Sequence, residues 1–136
     1  MTLLSACYLL LTVLQTDIRV NLGVDFHNIS DESSSIKFIE RHKNSEDITS
    51  KSYVIGAKAS LAHYQLSPWE KVETFYKAYE AINKLAEIAP ESIEVRYIRW
   101  LIQVKAPSFL REKVVLKKDI LFLEQALKQD FYNFKL

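Results

Sequence analysis

The chain reads as an all-α protein, a small helical bundle of 4–5 helices, and three observations lead there. Residues 67–105 form two apolar-faced segments on either side of Pro90, the pattern of a helical hairpin. No stretch sustains the every-second-residue alternation of a half-buried strand. Two glycines and three prolines in 136 residues leave few turn signals, which tells against a sandwich or barrel.

Taken in order, the first sixteen residues, MTLLSACYLLLTVLQT, carry no charge. They resemble the apolar region of a secretory signal peptide, although a positively charged start and an A-x-A-like site before Asp17 are missing. Residues 1–16 are therefore expected to be a leader. The alternatives are a first core helix of a cytosolic domain, or a lipid anchor at Cys7, because Leu4-Ser5-Ala6-Cys7 has the form of a lipobox. The run is short of the about 20 apolar residues that a membrane span needs. Residues 17–30, with Gly23, Asn28 and Ser30, read as a linker or weak helix, and the helical domain is expected over 31–136.

Within that domain, residues 31–44 suit a short amphipathic helix carrying Ile36, Phe38, Ile39 and His42. Over 46–65, Ile48, Ser52, Ile55, Ala59 and Ala62 share one stripe, with Tyr53, Ala57, Ser60 and Tyr64 beside it. Gly56 and the small neighbours cost helix propensity but let another helix approach closely. The next helix begins at Ser67, where Glu70 completes the spacing of a capping box and Pro68 takes the first helical position. Trp69, Val72, Phe75, Tyr76, Tyr79, Ile82 and Leu85 then recur at three- and four-residue steps. A face that wide suits a helix packed between neighbours. Glu73 with Lys77 and Glu80 with Lys84 stand in the favourable i,i+4 order.

Pro90 ends this helix, because the residue before a proline is pushed out of the α region. A second helix runs from Ser92 to Lys105 and stops ahead of Pro107. The final helix spans about 112–129, with Leu116, Ile120, Leu123 and Leu127 at its core positions. Phe131, Tyr132 and Phe134 in the tail either pack back on the bundle or form a sticky end. Residues 84–100, KLAEIAPESIEVRYIRW, have the cadence of a tetratricopeptide boundary, so TPR-like antiparallel packing is expected beside the plainer reading of two antiparallel helices.

Residues 24–127 as a whole resemble a family of small exported bacterial helical proteins that have a signal peptide and no assigned activity. The likeness rests on Tyr53, Gly56, Ala57, Ala59 and Ala62, on Val95 through Trp100, and on Gln103, Ala106-Pro107, Phe109-Leu110 and Asp119. That family has Gly and an aromatic after the position of Leu110, where this chain has Arg111 and Glu112. The resemblance implies export and a helical fold, and it implies no reaction.

A net charge of +1, without any Lys/Arg run longer than two, argues against nucleic acid as a partner. One cysteine excludes an intrachain disulfide framework. His27, His42 and His63 lack metal-ligand spacing, and two glycines cannot build a phosphate-binding loop, so no catalytic residue, metal or cofactor is expected.

The most unusual feature is a stripe of Ser92, Arg96, Arg99 and Gln103 on an otherwise apolar helix. Two guanidiniums there need carboxylates, backbone carbonyls or an anionic ligand, because an unpaired buried charge is costly. Ligand binding would use Arg96, Arg99 and Gln103, with Lys58 contributing. The structural alternative is a network in which Glu80, Glu87 or Asp119 pairs with the arginines.

The expectation is a non-catalytic exported binding or scaffold module, periplasmic or in the cell envelope, whose groove lies between the helices at 46–65 and 92–105. If the apolar leader is a core helix, the location is cytoplasmic. The partner is expected to be a protein, with a small anionic ligand as the alternative and no stable membrane span in the mature chain.

Overall fold

The computed structural model describes the backbone of residues 3–134 and the side chains of residues 5–11 and 21–130. Six α-helices follow one another: α1 (Leu3–His27), α2 (Glu32–His42), α3 (Ile48–Ser60), α4 (Pro68–Ile88), α5 (Ile93–Lys105) and α6 (Lys113–Phe134). Single 3-10 turns occupy Leu61–Tyr64 and Ser108–Leu110. The described residues contain no strand, so the protein is an all-α bundle.

α3 is the hub, touching α1, α2, α4 and α5. Its side chains explain why four helices can gather there. Ser52, Gly56 and Ala57 are buried and small, and the hydroxyls of Ser52 and Ser60 donate to the carbonyls of Thr49 and Ala57 at 2.7 and 2.6 Å. Those local bonds let serine enter a helix contact without stranding a polar group. A methyl at position 56 would lie 3.1 Å from Phe26 Cε2 and Cζ and 3.2 Å from Ile98 Cδ1. Glycine is what allows α1 and α5 to close on α3 at this level.

Residues 17–30, read from the sequence as a linker or a weak helix, are helical as far as His27: the backbone runs as one helix from Leu3, and Leu22 and Phe26 belong to the core. Phe26 meets Phe38 edge-on at 5.9 Å and Tyr53 at 5.2 Å between ring centroids, so aromatic packing outweighs the turn signal of Gly23, while Asn28 stands in the turn after the helix. α2 and α3 begin with aspartate caps. Asp31 accepts from the Ser34 N–H at 2.7 Å, and Asp47 from the Ser50 N–H at 3.1 Å. The helix expected over 46–65 remains α-helical to Ser60 and then tightens into the 3-10 turn.

α4 and α5 form the antiparallel hairpin around Pro90, and α3 packs against both. Two details of α4 depart from expectation. The Ser67 hydroxyl makes no capping hydrogen bond, so the capping box is not formed; Thr74 instead donates to Gln65 at 2.8 Å and ties down the preceding turn. The buried face is also narrower, comprising Phe75, Ala78, Tyr79, Ile82, Leu85 and Ala86, while Trp69 is 84% exposed and Tyr76 points outward. The ion pairs Glu73–Lys77 and Glu80–Lys84 are present at 2.7 and 3.0 Å on the solvent side. There they contribute only a few tenths of a kcal/mol.

α6 lies against α5. The side it turns inward runs through Leu116, Asp119, Phe122 and Leu123, with Asp119 completely buried. Ile120 and Leu127, expected at core positions, face outward instead. The aromatic side chains 131–134 fall outside the described residues. Among the described residues, no helix is long and apolar enough to cross a membrane.

These contacts set an expected pattern of stability. Ile98→Ala empties a fully buried position and should lower unfolding free energy by about 2–5 kcal/mol in urea titrations. Trp69→Ala should stay within about 0.5 kcal/mol of the parent, because that indole packs on little.

Candidate functional site

Arg96 and Arg99 share one face of α5 because they are three residues apart, and Asp119 of α6 meets both. Arg99 grips the carboxylate with two prongs, Nε to Oδ2 at 2.7 Å and Nη2 to Oδ1 at 2.6 Å. Its remaining nitrogen, Nη1, donates to Asn83 Oδ1 of α4 at 3.2 Å. Arg96 adds Nη1 to Asp119 Oδ1 at 3.1 Å and Nε to the Pro90 carbonyl at 3.1 Å, and its guanidinium lies 4.7 Å over the Phe122 ring. The hydrogen bonds that Arg99 donates to Asp119 raise its pKa against the opposing effect of burial.

Gln103, also fully buried, accepts from the Glu112 N–H at 2.8 Å ahead of α6, while its amide nitrogen has no partner among the described residues. Arg111 donates to the carbonyls of Val104 and Ala106 at 2.8 and 2.9 Å, capping the end of α5. Arg111 and Glu112 are thus both engaged in joining α5 to α6.

Three of the four residues assigned to a ligand site are therefore brought together, with their polar groups turned on Asp119, Asn83 and the chain leading into α6. Glu80, a candidate partner for the arginines, pairs with Lys84 instead. Lys58 lies elsewhere. It lines a pocket of about 290 Å³ with His42, Lys43, Lys51 and Lys84, between α3 and the end of α4. Three of those four lysines are already paired, with Glu40, Glu46 and Glu80.

A larger feature has no counterpart among the assigned residues. A cleft of about 760 Å³ opens at the end of the bundle where α4 begins and α5 finishes. α3, α4 and α5 all line it, together with the two 3-10 turns. Ala59, Phe75, Leu101, Ile102, Ala106 and Leu110 are among its mostly apolar lining. Lys71 and Lys105 are its only charged side chains among the described residues. Leu66 and Trp69 flank the lining residue Pro68 and are 97% and 84% exposed, and Phe109, which lines the cleft, is 77% exposed. One signal could have located this end from sequence: Leu66 and Phe109 are large apolar residues at helix boundaries, outside the periodic apolar stripes.

No family model, curated protein or solved structure matches the chain. Among the described residues, no group of His, Cys, Asp and Glu could hold a metal ion.

Two measurements follow from this geometry. Asp119→Ala strands two guanidiniums and should cost about 3–5 kcal/mol, whereas the double change Arg99→Met with Asp119→Leu should recover much of that loss. His42 gives a pH test. Burial first, then Arg41, hold its pKa below 6.5, with Asp25 partly opposing. The unfolded chain then binds a proton that the folded chain resists, so this contribution is full above pH 6.5 and is lost as pH falls through the depressed value. His42→Gln should flatten the acid-side decline in melting temperature over that window.

Proposed function

We propose that the chain is a non-catalytic, exported helical binding module that receives an apolar segment of a protein partner in the cleft lined by α3, α4 and α5. The observation that carries this reading is the mostly apolar lining of the cleft, in which Phe109 is 77% exposed; Leu66 and Trp69, within two residues of the lining Pro68, are nearly bare as well. Isolated exposed apolar residues are ordinary, but large ones gathered at a cleft mark an interaction site. Tryptophan and other aromatics are also the side chains that anchor protein interfaces most often.

The internal use of Arg96, Arg99 and Gln103 favours this cleft over the α5 stripe as the binding surface. A ligand at the stripe would have to displace Asp119 from two arginines. Export is supported by the leader, where Tyr8, Leu10 and Leu11 stand 57–72% exposed, unlike side chains of a first core helix. The likeness of residues 24–127 to small exported helical proteins points the same way.

Affinity capture from the cell envelope with the parent chain and with a Trp69→Asp/Phe109→Asp variant tests this reading. The expected outcome is one or more proteins retained by the parent and lost by the variant, with equal melting temperatures. Identical captures would sink it. Mass measurement of the mature N-terminus in the same material should show a start beyond residue 15, and intact Met1 on cytosolic protein would overturn export.

A further inference from the structure

We propose that the pocket between α3 and the end of α4 is a separate binding site, which holds a phosphate group carried on a small organic body. It is independent of the cleft and does not rest on the protein-binding reading. Helical spacing builds most of it. Lys51, Ile55 and Lys58 recur at steps of four and three residues, which puts them on one side of α3, and Ala81, Lys84 and Leu85 come from α4. His42 at the end of α2 and Lys43 just after it close a third side. Four lysines from three parts of the chain thus border about 290 Å³, and no carboxylate is among the lining residues.

The carboxylates that meet three of these lysines stand outside the lining. Glu40, Glu46 and Glu80 lie 2.6, 2.9 and 3.0 Å from Lys43, Lys51 and Lys84, and their side chains are 60–91% exposed. Ion pairs so open to water are weak, so a ligand bearing two negative charges can take these ammonium groups over. His42 supplies the observation that points to a ligand. Its Nε2 is buried and has no hydrogen-bond partner among the described residues, although the residue lines the pocket. A buried ring nitrogen left that way is costly, and an oxyanion beside it would accept its hydrogen bond. A phosphate offers three acceptor oxygens and close to two charges at neutral pH, enough for the imidazole and more than one ammonium group together. A carboxylate has only one charge to share among them. Val54, Ile55, Ala81 and Leu85 give the pocket an apolar wall, and its volume leaves room for a few carbon atoms beside the phosphate.

The test is titration of the full chain with sulfate, with glycerol 3-phosphate and with acetate at constant ionic strength. Nuclear magnetic resonance should show the ring signals of His42 moving with sulfate while those of His27 and His63 stay in place. Bound sulfate should also raise the pH at which His42 titrates, because a dianion favours the imidazolium. Arg41 and Asp25 act on that ring in opposite senses, and Lys43, Lys51, Lys58 and Lys84 with their glutamate partners surround the pocket it lines. Glycerol 3-phosphate should bind roughly tenfold more tightly than acetate, and Lys58→Gln/Lys84→Gln should remove most of that advantage. Both lysines are exposed, so the melting temperature of the double variant should match the parent's. Equal binding of glycerol 3-phosphate and acetate, or an unchanged affinity in the double variant, would overturn the proposal. Phosphatidylcholine vesicles carrying phosphatidic acid separate the two sources of such a group. Retention on them would trace the phosphate to a lipid headgroup, and no retention would leave a soluble phosphate ester as the ligand.

Discussion

The contact among Phe26, Gly56 and Ile98 sets the spacing of the whole bundle. α1, α3 and α5 come within van der Waals distance of one another there because position 56 has no side chain. The close approach buries Val95 and Ile98 completely and draws Tyr53 and Phe38 around Phe26. It also shapes the cleft, since Phe26, Gly56 and Ile102 all contribute to its lining. A bulkier residue at 56 would push α1 or α5 outward and alter the cleft together with the core. Stability and the shape of the cleft thus share one packing constraint.

The second organising element is polar. α6 packs on α5, and its only fully buried residue among those described is an aspartate. A lone carboxylate in that position would be severely destabilising; two arginines, Asn83 and the Pro90 carbonyl make it tolerable by satisfying each donor in turn. An ion network of this kind adds little net stability over an apolar contact. Its geometric demands, however, hold α6 in one register against α5, which a row of leucines would define less sharply. Gln103 and Arg111 act on the connecting segment to the same end, tying the α5 terminus to the start of α6.

Much of the candidate chemistry was legible as residue type and illegible as partner. Arg96 and Arg99 stood out because charge is rare on so apolar a helix, and the need for a counter-charge followed from desolvation alone. Asp119 was one of three carboxylates that could supply it, lying 20 residues beyond Arg99. Lys58 was assigned to the same group by charge and falls among other lysines between α3 and α4. The cleft was harder to foresee. Trp69 opens the apolar run of α4 in sequence, yet it stands in solvent while Phe75 and Ile82 are buried.

By itself, the sequence determined the helices from α2 onward and the proline punctuation between them. Proline breaks, cap residues and periodic apolar positions act over a few residues and do not depend on what the rest of the chain does. It also determined that two arginines on α5 needed an anion. Only the tertiary structure decided which anion met them, which face of α6 turned inward, and where an apolar surface was left uncovered. Those outcomes depend on helix lengths, close approaches and relative rotations, and each is a property of several segments packed together.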